Sequence, residues 1–463
     1  MWDKGFAGLR VHPERRTGIL RTGNPQNPSL REQCIPIKEI PAEGIFYRTI
    51  ALSVLIRKEN HEEETYGTIE APAAAFADTN RSGGGQDEMT PETPGAPGAY
   101  PLRMVYVYLT RDCNLACRHC WIAPKYQRSG VAADYLPLDF FTAILDEAQH
   151  LGAQAVKLTG GEPLLHPEIG TVISRVRDSG LRLTMETNGT LVTPRIAADI
   201  AAGKQPFVSV SLDGGDAAVH EGVRGVRGCF DAACNGITLL SDAGVAPQVI
   251  MTVMRANRDH VRYVVRLAES LGAGSVKFNM LQPTGRGEEI RRSGAALTAG
   301  EYLELFRWIE HHLTSTTPLR LYCDYPPAFR PLSRIFCRDG DGCGVCGIHG
   351  IIGVLSDGRY ALCGIGETTP DLVLGSHPRD SLAAVWRDAP VLGAVRKGIP
   401  RNLKGICGEC ALNRLCLGNC VAQNYCRSSD LLAPFWFCEE AEKQGLFPES
   451  RRIEPARNGG ADR

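Results

Sequence analysis

Three thiols recur at close intervals in Cys113-Asn114-Leu115-Ala116-Cys117-Arg118-His119-Cys120, a Cys-x3-Cys-x2-Cys spacing. They directly follow the alternating apolar run Met104 to Leu109, so they sit on the loop that leaves a strand. Three thiolates can hold three irons of a [4Fe-4S] cube and leave the fourth without a protein ligand. An open iron can bind and reduce a small molecule, whereas four ligands close a cluster for electron transfer or structure. Zinc is the competing reading, but zinc takes four ligands and the only local fourth is His119, crowded between its neighbours.

A second apolar run, Ala155 to Thr159, leads into Gly160-Gly161-Glu162-Pro163. Two glycines let backbone approach a ligand closely, and the carboxylate beside them can accept hydrogen bonds from an ammonium group. Alone, the same residues would make a common turn. A third run ends in Glu186-Thr187-Asn188-Gly189-Thr190, where Asn-Gly is also an ordinary turn pair. On a fourth, Ser209, Ser211 and Asp213 fall at period two and share one strand face. Three inward polar side chains are costly unless they meet a polar ligand. Arg224 and Arg286 read as loop arginines, which are ordinarily solvated.

The C-terminal third holds a second cysteine field: Cys337, Cys343 and Cys346, then Gly358 and Cys363, then Cys407, Cys410, Cys416 and Cys420, with Cys426 and Cys438 behind. Two Cys-x2-Cys pairs, Cys343/Cys346 and Cys407/Cys410, would suit a zinc ribbon, but a ribbon leaves Cys363, Cys416, Cys420 and Cys438 unexplained. The 17 cysteines are an odd number, most of them gathered into two groups in a large chain, which favours metal ligation over a disulfide framework.

The elements that must carry these residues alternate. Strand-like runs are Met104 to Leu109, Ala155 to Thr159, Leu181 to Glu186, Phe207 to Leu212, Gln248 to Met254 and Ser275 to Met280. Helix-like segments lie between them; in the first, Phe140, Ile144, Ala148 and Leu151 share one face. The alternation predicts an α/β fold, a partial TIM-like (β/α)6 barrel over 101–300, with its chemistry at the C-terminal strand ends. A cysteine-rich domain is expected over 320–440 and a polar tail over 441–463. Residues 1–78 hold one plausible strand, Ile45 to Ile56, and no chemical constellation, and 79–100 form a Gly/Pro/Ser/Thr linker. Lysine plus arginine, 51, nearly cancels aspartate plus glutamate, 52, so no global charge recruits nucleic acid or anionic lipid. The start, Met1-Trp2-Asp3-Lys4-Gly5, lacks a signal-peptide core and no apolar run approaches a membrane span; a soluble, cytoplasmic protein is expected.

The Cys113–Cys120 stretch with aromatic Trp121 after the last thiol, the Gly160-Gly161-Glu162-Pro163 element about 40 residues on, and Ser211-Leu212-Asp213-Gly214 through His220 and Arg224 together resemble the radical S-adenosylmethionine (SAM) superfamily. The resemblance implies that Cys113, Cys117 and Cys120 hold the catalytic cluster and that SAM chelates its open iron. One electron, from a donor such as flavodoxin or ferredoxin, would then release a 5′-deoxyadenosyl radical that takes hydrogen from substrate. Trp121, Gly160, Gly161, Glu162, Pro163, Asn188, Ser209, Ser211, Asp213 and Arg224 would bind the cofactor.

Gly358-x4-Cys363 and Cys407-x2-Cys410-x5-Cys416-x3-Cys420 resemble the SPASM extension of that superfamily, which normally holds two auxiliary [4Fe-4S] clusters. On this resemblance Cys407, Cys410, Cys416 and Cys438 would bind the outer cluster. Cys363 and Cys420 would bind the inner one with two of Cys337, Cys343 and Cys346, the favoured pair being Cys343 and Cys346. SPASM enzymes mostly modify peptides or proteins, and some act on tetrapyrrole side chains. The expected substrate is therefore a ribosomally made peptide, with a tetrapyrrole precursor as runner-up and a redox sensor or electron carrier as the non-enzyme reading. A leader-peptide role for residues 1–78 stays open. One departure concerns sulfatase maturation, whose enzymes carry Asp after the Gly-x4-Cys cysteine; here Gly364 stands there, with Glu367 nearby.

Overall fold

The computed structural model describes residues 100–127, 132–336 and 345–453. The Ile45 to Ile56 run, the linker before residue 100, Cys337 and Cys343 lie outside them. All six expected strands are present: β1 (Met104–Tyr108), β2 (Ala155–Thr159), β3 (Arg182–Thr187), β4 (Phe207–Ser211), β5 (Gln248–Val253) and β6 (Ser275–Met280). They pair in chain order, each neighbouring pair parallel. Parallel neighbours require crossovers, supplied by α1 (Leu138–His150), α2 (Ile169–Asp178), α3 (Pro194–Ala201), α4 (Ala217–Arg224), α5 (Cys229–Asp242) and α6 (Val261–Ser270).

The sheet does not stop at six. β7 (Arg320–Asp324) continues it parallel to β6, and β8 (Ile351–Val354) adds parallel to the other side of β1. β9 (Arg359–Ala361) and β10 (Val373–Ser376) follow antiparallel, giving ten strands in the order β10-β9-β8-β1-β2-β3-β4-β5-β6-β7. Because β1 pairs with β8 and not with β7, the barrel stays open and the C-terminal region shares its sheet.

Burial follows the expected periods. α1 buries Phe140, Phe141, Ile144, Leu145 and Ala148, and α6 buries Val261, Val264, Val265 and Ala268, each a single stripe. On β3, β5, β6 and β7 one face is buried under the helices: Leu183, Met185, Val249, Met251, Val276, Phe278 and Leu321. The opposite face, with Thr184, Glu186, Thr252, Lys277, Asn279, Tyr322 and Asp324, is only partly covered. The lumen is thus open and polar. Lys157 of β2 pairs with Glu186 there and lies 4.7 Å over the Tyr106 ring, while Lys277 is 3.7 Å from Asp324.

Residues 441–453 are not the polar tail expected from their charge. Ala441 is buried within the helix Trp436–Lys443, Phe447 packs edge-on against Phe329 at 5.6 Å, and Arg452 bridges to Cys410. An apolar stripe of Trp436, Phe437, Cys438 and Ala441 runs under the Glu439, Glu440, Glu442 and Lys443 side chains that dominate the sequence there. Among the described residues no helix is long and apolar enough to cross a membrane.

Candidate functional site

The loop from β1 carries the three thiols, and four strand ends fasten it. Thr110 accepts the Asp112 N–H at 3.0 Å, and Asp112–Cys113 pairs with Lys125–Tyr126. From β2, the Gly161 and Glu162 N–H groups donate to the carbonyls of Thr110 and Asp112 at 2.8 and 2.9 Å. A Cβ at Gly161 would stand 2.0 Å from the Asp112 carbonyl oxygen, and one at Gly160, where φ is +132°, would stand 2.6 Å from that of Thr110. The close approach these glycines permit is therefore to the thiol loop itself.

Glu162 is buried, and its carboxylate accepts from Leu164 N at 3.1 Å, Thr187 Oγ1 at 2.6 Å and Asn188 N at 2.8 Å. Burial pushes its carboxyl up to about 7 while those three donors pull the other way. Three of a carboxylate's roughly four acceptor positions are filled by the chain. Pro163 opens the buried turn that follows. Asn188 donates to Asn114 at 2.8 Å and accepts from Thr190, and Asn114 donates to Thr190, which ties the thiol loop to the end of β3.

Arg224 departs from its expected loop setting. It is the last residue of α4, buried, with Nε 2.8 Å from Asp213 Oδ2 and Nη1 3.6 Å from Cys117 Sγ. Asp216 caps α4, and the Arg224 and Val223 carbonyls at its far end accept the N–H groups of Ala116 and Arg118, so the thiol loop satisfies the helix terminus. Asp213 also accepts Thr252 N at 2.8 Å, and His119 Nε2 is 3.7 Å away. Burial opposes ionisation of Asp213, but Arg224, His119 and His220 outweigh it and hold the carboxyl below its ordinary range. Burial, with Arg224 and Arg286 nearby, lowers His119 to about 4, so it is neutral at pH 7. Ser209 is buried on β4 and Ser211 half-buried at its end.

The exit from β6 closes the site. Arg286 N donates to the Cys120 carbonyl at 3.0 Å, and Gly285, at φ +56°, lies so close that a Cβ would meet the Trp121 carbonyl at 2.3 Å. Trp121 packs on Tyr108, Leu355 and Ala361. Among the described residues His119 Nδ1, Asn279 Oδ1, Thr284 Oγ1 and Arg286 Nε and Nη2 are buried polar atoms without hydrogen-bond partners. Such groups call for a polar ligand.

In the C-terminal region Cys407, Cys410, Cys416 and Cys438 line one cavity with about 300 Å³ of empty space. Phe435 N approaches Cys407 Sγ at 3.3 Å and Leu412 N approaches Cys410 Sγ at 3.4 Å. Cys426 is elsewhere, exposed, 3.3 Å from Thr369 Oγ1. Cys346, Cys363 and Cys420 lie within electrostatic reach of one another and of Tyr106, and Lys157 reaches Cys346 and Cys363. Burial pushes the Cys363 thiol up to about 12 and the Cys113 and Cys346 thiols higher, so thiolates would form there only as a metal displaced the protons. Gly364 packs so tightly on the Tyr108 ring that a Cβ would stand 2.1 Å from it, and Glu367 is held 3.0 Å from Arg111.

The donor sets fit [4Fe-4S] groups: two buried thiols and a half-buried third beside unpartnered polar atoms, and four thiols around one apolar cavity. No three Cys, His, Asp or Glu side chains among the described residues converge on a single-ion site; a cube spreads its thiolates over several irons. The sequence did not reveal Asn114, Thr190, Thr252 or Asn257, whose Nδ2 donates to the Asp213 carbonyl at 3.0 Å, as supports, since their partners lie tens of residues away. Lys157, a charge inside the apolar Ala155–Thr159 run, was a legible sign of a polar lumen.

The family model of the radical SAM superfamily matches residues 107–268. The AdoMet-dependent heme synthase of Methanosarcina barkeri is 31% identical over 351 residues, covering 73% of this chain and 96% of that protein. Mycofactocin maturase MftC of Mycobacterium tuberculosis is 25% identical over 351 residues, covering 74% and 85%. Crystal structures of Streptococcus suis SuiB, bound to S-adenosylmethionine and to precursor peptide SuiA, share the fold with TM-scores of 0.58 and 0.57 at 16% identity, covering 73% and 72% of this chain and 77% and 75% of theirs. With the thiol loop, the strand-end polar groups and the second cysteine field in place, the chain belongs to the radical SAM superfamily and carries a SPASM-type C-terminal region.

Proposed function

We propose that this radical SAM enzyme oxidatively modifies or crosslinks a ribosomally made peptide or small protein. The observation that carries the radical chemistry is the buried thiol loop, clamped by four strand ends with Arg224 beside Cys117, at the mouth of an open polar lumen. Bound together, a [4Fe-4S] cluster and SAM supply a hydrogen-abstracting radical. Cys113, Cys117 and Cys120 would hold the cluster. Arg224 offsets thiolate charge, and Asp213 fixes the guanidinium. Glu162 and Asn188 hold the loop against β2 and β3, and Gly160, Gly161, Pro163, Ser209, Ser211 and Trp121 would be the residues left to contact SAM. Cys407, Cys410, Cys416 and Cys438 would hold one auxiliary cluster, and Cys346, Cys363 and Cys420, with Cys343 from outside the described residues, the other. An electron donor of the flavodoxin or ferredoxin kind completes the system.

For the substrate, SuiB with its precursor peptide supports the peptide reading. A second reading, a tetrapyrrole precursor, is favoured by the 31% identity to a heme synthase of which 96% is covered. Anaerobic turnover with SAM, a reductant and either any small peptide encoded beside the gene or a porphyrin carboxylate, read by mass spectrometry, separates them. Loss of hydrogen from a peptide supports the first. A change confined to the tetrapyrrole moves the assignment to the second, and neither, with SAM consumed, overturns both.

A further inference from the structure

A cavity with about 1020 Å³ of empty space lies between the β6 exit loop and two C-terminal helices, Val421–Ser428 and Trp436–Lys443. Its walls carry four cations, Arg255, Arg291, Arg427 and Lys443, against two carboxylates, Glu439 and Glu440. Arg255 is satisfied, held by both carboxylate oxygens of Glu301 at 2.5 and 2.7 Å. Glu439 is divided between Lys443 at 3.0 Å and Arg427 at 3.6 Å. Arg291 makes no ion pair among the described residues, and it faces Arg427: burial first, then the like charge of Arg291, holds the Arg427 guanidinium below its ordinary value. Two cations confronting each other over a groove leave a positive field that an anion would neutralise.

The floor of the groove is Leu281 and Pro283, on the loop whose Gly285 and Arg286 close over Cys120 and Trp121. The groove therefore shares one loop with the candidate radical site. We infer that this groove is a docking subsite for substrate carboxylates, read by Arg291 and Arg427. The inference rests on the lumen being the site of substrate modification. The carboxylates could belong to an acidic peptide segment or to the acid side chains of a tetrapyrrole, and both are bound through the same planar, forked guanidinium geometry. Binding here orients a substrate without touching the reacting carbon.

The probes are a six-glutamate peptide and coproporphyrin, titrated into the full chain at low salt by calorimetry. One of them should bind, more weakly as salt rises, and R291Q and R427Q should each raise its dissociation constant about tenfold, the worth of one charge-assisted contact. R291K/R427K should keep more of the affinity than R291Q/R427Q, which a purely structural role would not produce. Uncoupled SAM cleavage should be unchanged in all variants, since neither residue reaches the thiol loop. Which probe binds identifies the source of the carboxylates. No binding of either by the wild type, or equal binding by the glutamine variants, overturns the subsite. Failure of the wild type to cleave SAM would sink the radical reading and leave the binding result standing.

Discussion

Glu162 carries two opposed demands at one atom group. Burial disfavours its charge, and three donors from β3 and the following turn favour it. Glu162→Gln keeps the volume but turns an N–H toward the Asn188 or Leu164 N–H. That leaves a buried donor unpaired, and about 1–3 kcal/mol of stability should be lost, measurable by chemical denaturation of the metal-free protein. The pH dependence has a defined sign. The folded value near 7 lies above the ordinary 4.5, so the folded state binds this proton more tightly. Its stabilisation is complete below about 4.5 and disappears as pH rises through 7. Wild-type stability should fall across that window, and the glutamine variant should lack this slope; parallel curves would count against a protonated Glu162.

At the scale of elements, the thiol loop is shaped by what presses on it. Gly161→Ala places a methyl against the Asp112 backbone, which cannot rotate away as a side chain could. Overpacking of this kind costs about 1–3 kcal/mol, and here it displaces Cys113. Iron bound at the first site and SAM cleavage should drop at least tenfold while the C-terminal iron remains; full iron with normal cleavage would show that the loop tolerates the methyl. The six barrel strands and the first thiol group were legible because both are local signals, apolar runs at period two and a fixed cysteine spacing. β7 to β10 were not, since Arg320-Leu321-Tyr322-Cys323-Asp324 interleaves charge and Ile351-Ile352-Gly353-Val354 is short and broken by glycine. The helical setting of Arg224 was not legible because Gly222 and Gly225 bracket it and obscure the end of α4. Its burial comes from Asp213 and Cys117, which no local pattern announces.

Across the whole molecule, β1 is the seam. Its C-terminal end leads into the thiol loop, its far edge pairs with β8, and its Tyr108 packs on Gly364 next to Cys363. The two cysteine groups are therefore joined by one strand while remaining separate in their ligands. Cys438→Ala removes one thiol from the cavity it shares with Cys407, Cys410 and Cys416. The reconstituted protein should lose about four irons, one cube, and keep uncoupled SAM cleavage. Unaltered iron content would remove Cys438 from the outer ligand set.

We assign to Cys113, Cys117 and Cys120 a cluster whose open iron engages SAM. It is tested most directly by anaerobic reconstitution of the full chain and of Cys117→Ala, followed by dithionite, SAM and assay of 5′-deoxyadenosine alongside iron and sulfide. Wild-type protein should produce 5′-deoxyadenosine, and the variant should produce none while retaining about eight irons, two cubes, in the C-terminal region. Undiminished 5′-deoxyadenosine from Cys117→Ala, or a wild type with its clusters intact and no product, would remove radical generation from the Cys113–Cys120 loop.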